Sequence, residues 1–215
     1  MQRHFDLRKK AMNRLFHLRT KSTWTCEDCH TVHVSRAKEP GINLKMPENP
    51  AEPTLEHYLD RHFEDATAEG LKCGSIACND RARDRKKSTI IVGGPEILVI
   101  QVARMRLKMD NYGLRMVKVK DEVEYDDRLD LSDYSDGCLS YQLNGVVAHN
   151  GNTLTEGHYV AMVRSQKGDG FVICNDDITD DSQTKEQVLS LAESKRFQSY
   201  LLIYQKIGGR MANCV

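Results

Sequence analysis

One stretch of the sequence concentrates residue types that can move a proton. A histidine opens the alternating apolar run His158–Arg164, and residues 165–170 contain two glycines and an aspartate, which favours a hairpin turn. The returning strand carries Asn175–Asp177. If Arg164 lies opposite Phe171, His158 lies opposite Asp177, whereas a turn two residues tighter places it opposite Asn175.

A histidine beside an Asn or Asp across two strands has the layout of a general base and its orienting partner. In that layout the partner accepts a hydrogen bond from Nδ1–H of His158, and Nε2 is free to take a proton. A His near an Asn on a hairpin is also a common structural pair. The spacing alone therefore does not identify an enzyme.

Four of the seven cysteines fall into two pairs, Cys26-x2-Cys29 and Cys73-x4-Cys78. In a reducing compartment, paired spacing indicates a metal site before it indicates disulfides. Three further cysteines stand alone, at positions 138, 174 and 214.

The elements that must position these residues divide the chain into two halves. In the first half we expect an amphipathic helix at 5–18, short strands at 22–36, an extended proline-rich linker at 38–53, a helix capped by Thr54, and a solvated turn at 80–87. From residue 89 the apolar period changes to two. The second half is therefore predicted to be mostly antiparallel sheet, interrupted by one helix at about 184–194.

Charge and hydropathy exclude some classes of protein. Lys plus Arg and Asp plus Glu are both 31, so the net charge is zero and gives no electrostatic reason to expect nucleic acid or an anionic membrane as partner. No apolar run approaches the roughly 20 residues of a membrane helix, and the N-terminus lacks the apolar core of a signal peptide. We expect an intracellular protein, cytoplasmic or nuclear.

Six landmarks, in order over about 190 residues, resemble those of the ubiquitin-specific protease family. These papain-like cysteine peptidases cleave after the C-terminal glycine of ubiquitin. The landmarks are Leu15-Phe16, the proline-led strand Pro95–Arg104, the Leu-Asp-Leu loop Leu129–Tyr134, the stretch from Tyr141 to His149 and Gly151, the box Gly157-His158-Tyr159, and the closing strand Tyr200–Tyr204.

The resemblance implies an α+β, papain-like cysteine peptidase fold of the ubiquitin-specific protease type, built mostly of antiparallel sheet. Residues 1–215 would form a partial domain, with fingers at about 15–90, a palm at about 91–206 and a tail at 207–215. The helical thumb would be missing.

The resemblance also implies roles for three residues. His158 would be the general base that deprotonates a cysteine nucleophile, Asn175 would hold its imidazole, and Asp176 matches the aspartate that follows the family's third catalytic residue. The family's nucleophile lies in a Gly-Asn-x-Cys-type box, and this sequence has no such box. We expect Cys174 to be a packing residue, so the chain alone is expected to be inactive.

Three explanations of the missing box stay open. The chain is a piece of a complete deubiquitinase, which we favour, or a short product that binds ubiquitin or ubiquitinated proteins without cleaving them, or a chain that completes its site with a separate thumb chain. A zinc-ribbon protein that binds nucleic acid is a weaker interpretation, because the net charge is zero.

By resemblance, Cys26, Cys29, Cys73 and Cys78 would bind one structural zinc at the fingertips through four thiolates. His30 and His33 are weaker candidate ligands, and the alternative is four reduced, partly buried cysteines without metal. No organic cofactor is expected.

Overall fold

The computed structural model describes residues 2–46, 52–79, 81–111, 113–151, 156–190 and 197–207. Three α-helices lie in these ranges, α1 (Gln2–Phe16), α2 (Leu55–Phe63) and α3 (Lys185–Leu189). Thr54 caps α2 as expected, since its hydroxyl accepts a hydrogen bond from the backbone N–H of His57 at 3.3 Å. Thr184 caps α3, and the predicted continuation of that helix at 191–194 lies outside the described residues.

Fourteen strands account for most of the described chain. They are β1 (Leu18–Cys26), β2 (Val32–Glu39), β3 (Ile42–Lys45), β4 (Ala66–Lys72), β5 (Ala82–Gly93), β6 (Ile97–Ala103), β7 (Met105–Asp110), β8 (Gly113–Lys118), β9 (Arg128–Asp130), β10 (Ser140–Asn150), β11 (His158–Arg164), β12 (Phe171–Asn175), β13 (Ile178–Gln183) and β14 (Gln198–Lys206).

Strands from the first half of the chain form a four-stranded antiparallel sheet in the order β2-β1-β5-β4. The predicted solvated turn at 80–87 is wrong, because β5 begins at Ala82. Its charged residues alternate between half-buried positions (Arg83, Arg85, Lys87) and exposed ones (Asp84, Lys86). A strand accommodates such a run because successive side chains point to opposite faces.

Eight strands form the larger sheet, in the order β13-β12-β11-β10-β14-β6-β3, with β9 paired to β10. The predicted linker at 38–53 is wrong in part, because β2 extends to Glu39 and residues Ile42–Lys45 pair in parallel with β6 at the edge of this sheet. Residues 47–51 lie outside the described part. The other strand pairs in the described residues are antiparallel, which confirms the predicted α+β, mostly antiparallel class.

One hydrophobic core joins the large sheet to α2. Tyr141, Leu143 and Val146 of the central strand β10 are buried, with the alternation changing phase at the irregularity after Leu143, and Leu55 and Leu59 of α2 are fully buried. This core fixes the strand ends at which the candidate site lies. Within the described residues, no helix is both long and apolar enough to cross a membrane.

Strands β7 and β8 form a separate two-stranded antiparallel ribbon, which we call the arm. The pairs Leu107↔Met116 and Met109↔Leu114 place apolar side chains on one face of the arm. Those side chains, with Met105, are between 48% and 70% exposed. The arm ends at Lys118, next to the histidine-bearing end of the large sheet.

Candidate active site and metal centre

His158 and Asn175 lie at the same end of two neighbouring strands. The register Arg164↔Phe171 to Ala161↔Cys174 confirms the first of the two predicted alignments, so the position opposite His158 is that of Asp177. Strand β12 ends at Asn175, however, and the chain turns there. Asn175 therefore lies diagonally across from His158 on the same face of the sheet.

The imidazole of His158 and the amide of Asn175 are joined by a short hydrogen bond between Nε2 and Oδ1. The amide oxygen can only accept, so Nε2 carries the proton and Nδ1 is the basic nitrogen of the neutral ring. The prediction that Nδ1 donates to the partner is therefore wrong. Asn175 is on the adjacent strand and is reached by the outer ring nitrogen, which leaves Nδ1, nearer the backbone, without a proton in this tautomer.

Asp176 lies beyond this pair, in the turn between β12 and β13. Its φ is 52°, in the left-handed region that Asp tolerates better than most residues, and its side chain is exposed. The flanking residues Asn175 and Ile178 form the last pair of the hairpin. The structure thus gives Asp176 a place in the turn, and its catalytic role stays a prediction.

Two other cysteines in the described part of the second half, Cys138 and Cys174, are not placed to act as nucleophiles for His158. Cys174 is half-buried and pairs with Ala161, so its side chain points to the face opposite Asn175. Cys138 is disulfide-bonded. Cys214 lies outside the described residues.

Two basic residues that the sequence analysis missed as site residues support the histidine end of the sheet. Arg104 is 2% exposed, and its guanidinium donates to the backbone oxygens of Ser199 and Asp121, each at 2.7 Å, and of Val119 at 3.3 Å. Burial lowers the pKa of Arg104 to about 10. Lys118, adjacent to Val119, contacts His149. The signal for Arg104 was a lone arginine at the end of an apolar strand.

The four paired cysteines meet at the tip of the smaller sheet. Their sulfur atoms all lie within 4.8 Å of one another, with Cys26 Sγ 3.8 Å from Cys78 Sγ and Cys29 Sγ 3.5 Å from Cys73 Sγ. Tetrahedral zinc with bonds of about 2.3 Å needs sulfur separations of about 3.8 Å. The donor set therefore fits a metal ion that prefers four thiolates.

Local backbone geometry brings the two pairs into this arrangement. After β1, the N–H of Cys26 donates to Thr31 O at 3.1 Å and the N–H of His30 donates to Cys26 O at 3.0 Å, forming a tight knuckle. The second pair closes through Gly74, whose φ is +67°, and a turn of 3₁₀-helix at Ile76–Cys78. This short helix explains how a four-residue spacer replaces the usual two.

Two of the four thiols, those of Cys73 and Cys78, have raised pKa values, so they resist ionisation unless a cation is close. Hydrogen bonds with Thr31 lower the pKa of Cys29 to about 5, whereas proximity to Cys29 and burial raise the pKa of Cys78 to about 12. His33 is not among the clustered donors, because its Nε2 lies 3.0 Å from the backbone oxygen of Cys73. His30 is exposed, with φ 55°.

Comparison with known proteins places this arrangement in a family. The model of the family "Ubiquitin carboxyl-terminal hydrolase" matches residues 1–204. The chain therefore belongs to the ubiquitin carboxyl-terminal hydrolase family, which confirms the resemblance found from its motifs. It is 24% identical over 207 residues to ubiquitin carboxyl-terminal hydrolase 23 of Arabidopsis thaliana, covering 92% of this chain and 22% of that protein.

Solved structures show the same fold. The yeast SAGA DUB module with a mutant Sgf73 contains a chain that superposes with a TM-score of 0.73 at 24% identity, covering 91% of this chain and 42% of that one. The SAGA Ubp8/Sgf11/Sus1/Sgf73 DUB module bound to ubiquitin aldehyde gives 0.75 at 23% identity, with coverage of 91% and 42%. These matches confirm the predicted fold type. The chain spans about two fifths of the length of these solved chains.

Proposed function

We propose that this chain is the fingers-and-palm part of a ubiquitin-specific cysteine protease, to which it contributes the general base. The observation that carries the proposal is the hydrogen bond between His158 Nε2 and Asn175 Oδ1, in a chain of this family. It leaves a basic Nδ1 on a ring that cannot rotate freely. That is what a general base for a thiol needs.

The proposed reaction is hydrolysis of the bond after the C-terminal glycine of ubiquitin. His158 Nδ1 takes the proton of the cysteine thiol, and the thiolate attacks the glycine carbonyl carbon. The imidazolium then gives this proton to the leaving lysine amine as the C–N bond breaks. Ubiquitin is then joined to the cysteine as a thioester. In the second half of the reaction, His158 takes a proton from a water molecule as that water attacks the thioester carbon. The C–S bond breaks, the thiolate recovers the proton from His158, and the ubiquitin carboxylate is released.

Asn175 keeps the ring in one tautomer through these steps. Because its amide is neutral, it orients the imidazolium without adding a negative charge. Asp176 follows it in the hairpin turn and would act through the position of Asn175. The nucleophilic thiol comes from outside these 215 residues, since the sequence holds no Gly-Asn-x-Cys box.

A structural zinc at the tip of the fingers is part of the proposal. Cys26, Cys29, Cys73 and Cys78 would hold it, and the mutual sulfur distances support this assignment. The ion would tie the knuckle after β1 to the segment after β4. It would be remote from the reaction and would supply stability to the fingers.

Ubiquitin or a ubiquitinated protein is the proposed partner, in the cytoplasm or the nucleus. A similar fold in the module bound to ubiquitin aldehyde supports this partner. The second candidate function is a ubiquitin-binding module that does not cleave, which the absence of a nucleophile box favours. A separate thumb chain is the third arrangement, in which the base and the nucleophile come from different polypeptides.

The test uses this purified chain with ubiquitin, a fluorogenic ubiquitin C-terminal amide, and a ubiquitin that carries a thiol-reactive warhead. We expect ubiquitin binding without turnover or adduct. Adding the segment that carries the Cys box, joined or as a separate chain, should then produce turnover that is lost in His158→Ala. Turnover that survives His158→Ala, or the absence of any ubiquitin binding, would contradict the proposal.

A further inference from the structure

Lys118 occupies an unusual position for a lysine. It is the last residue of the arm, it is half-buried, and its Nζ lies 2.8 Å from His149 Nδ1 and 2.6 Å from the backbone oxygen of Gly151, to which it donates. Its ammonium also lies 5.6 Å from the centre of the Tyr200 ring. A lysine with a free choice of conformations would stay in water, so these contacts define a fixed position.

His149 is the acceptor in this arrangement. Its side chain is 4% exposed, and its ring packs against those of Tyr159 and Tyr200 at centroid distances of 4.5 and 5.4 Å, while the two tyrosine rings are 5.8 Å apart. An ammonium can only donate, so Nδ1 of His149 accepts and the ring is neutral with its proton on Nε2. Burial, together with the positive charges of Lys118 and His158, lowers the pKa of His149 and favours this neutral form.

The ring of His149 also shapes the chain that leads into His158. A side chain at Gly151 would place its Cβ 2.6 Å from Cε1 of His149, and one at Gly157 would overlap the Nε2 side of the same ring. Both glycines therefore lie directly on the imidazole. Lys118 donates a hydrogen bond to the backbone oxygen of Gly151, and the ring of His149 contacts both glycines.

The backbone position of His158 is set by these contacts of Lys118 and His149 with Gly151 and Gly157. It follows Gly157 directly, and its pairing with Asn150 closes the β10–β11 ladder immediately beyond His149↔Tyr159. Arg104 fixes Lys118 from the other side, because it binds the backbone oxygens of Val119 and Asp121. A continuous set of contacts thus runs from the root of the arm to the residue that carries the proposed base.

We propose that Lys118 is a positioning residue for His158, which it holds in register with Asn175 through His149 and the glycines at 151 and 157. The proposal rests on the proposed function for its catalytic meaning, since it concerns the orientation of the general base. The orientation of the His158 ring can be measured on this chain without any reaction.

The test compares Lys118→Met with Lys108→Met in the chain labelled with ¹⁵N-histidine. Lys108 is an exposed lysine of the same arm, so the control removes the same charge and leaves the same methionine side chain. Long-range ¹H–¹⁵N spectra distinguish the two imidazole tautomers. We expect His158 to be in the Nε2–H form in the wild type and in Lys108→Met, and to populate both tautomers in Lys118→Met while the melting temperature shows a folded protein.

His149→Phe is the second variant, because it keeps a ring against the glycines and removes the acceptor for Lys118; it should also release His158 from its single tautomer. If His158 keeps the pure Nε2–H form in these variants, the proposal is overturned. In the complete protease we expect Lys118→Met to lower kcat by about 10- to 100-fold with KM changed less than about twofold. A wild-type chain that fails to bind ubiquitin would contradict the proposed function, while the tautomer measurement would still decide the role of Lys118.

Discussion

Cys174 and Asn175 are neighbours on β12, yet their side chains point to opposite faces of the large sheet. Asn175 lies with His158, whereas Cys174 lies on the face of Ala161. The cysteine nearest in sequence to the candidate site is therefore separated from the base by the sheet itself. Under the proposed function, the nucleophilic thiol would therefore come from another part of the protease.

This separation predicts that Cys174 has no part in the chemistry. Cys174→Ser should leave ubiquitin affinity unchanged, and a complete protease carrying it should retain its activity within about twofold. Mass spectrometry after treatment with the thiol-reactive ubiquitin checks the same point on the wild-type chain. An adduct mapped to Cys174 would refute the opposite-face assignment.

Asn175→Ala removes the acceptor for Nε2–H of His158. We expect the complete protease to lose up to about 100-fold in kcat, the lower part of the range that general acid–base catalysis contributes. Ubiquitin affinity should not change, because the change affects the orientation of the base. Asn43→Ala, an exposed amide on β3, is the control and should behave as wild type.

The sulfur cluster predicts one metal ion per chain. Elemental analysis should find zinc at a ratio near one, and Cys73→Ser should reduce this ratio strongly, since three thiolates are left. Cys174→Ser is the matched control and should keep full zinc content. A wild-type chain that folds without bound metal and does not respond to a chelator would contradict the metal site.

Acid should destabilise the fold in part through His149. Its pKa is lowered by burial and by Lys118 and His158, so below the ordinary histidine value of about 6.5 the unfolded chain binds a proton that the folded chain resists. The contribution of neutral His149 to the free energy of unfolding is present above that pH. It is lost as the pH falls through the pKa that His149 has in the folded chain. Urea unfolding at pH 7.5 and 5.5 should show a smaller loss for His149→Phe than for wild type. His57→Phe, on α2, is the control.

The arm predicts self-association of the isolated chain. Its apolar face carries Leu107 and Leu114 among five exposed apolar side chains, a contiguous patch of the kind that promotes association. Replacing both leucines by threonine should lower the apparent mass in light scattering at high concentration and should keep the strand propensity. Leu71→Thr, an exposed leucine on β4, should have no effect. A wild type that stays monomeric would contradict this prediction.

Much of the second half of the chain could be predicted because local signals determine it. Alternating apolar residues predicted β11 and β14, and the choice of Arg164 opposite Phe171 led directly to the meeting of His158 with the Asn175 region. The Thr54 cap and the meeting of the paired cysteines were also correct. For the strands and the cap, the signal lies within a few residues of the feature that it predicts, whereas the meeting of Cys29 with Cys73 was implied by the family resemblance.

The errors share a different physical origin. The strand at 42–45 exists because β6 provides a parallel partner, and the charged start of β5 is a strand because β1 and β4 flank it. Tertiary pairing overrides weak local preference in both cases. Which ring nitrogen of His158 faces Asn175 depends on a diagonal contact at the end of a strand. Lys118 contacts His149 only because the arm brings it there. Sequence spacing predicts neither contact.

The parallel pairing of β3 with β6 has a consequence for the order of folding. Ile42 pairs with Ile100, and two strands of the smaller sheet, β4 and β5, lie in the chain between them. Closing so long a loop carries an entropic cost that grows with its effective length. Formation of the cysteine cluster, which joins Cys29 to Cys73 across the start of that loop, would shorten it before the two strands meet. Metal binding at the tip of the smaller sheet should therefore speed the pairing of β3 with β6 in the large sheet, although the metal site is in the other sheet.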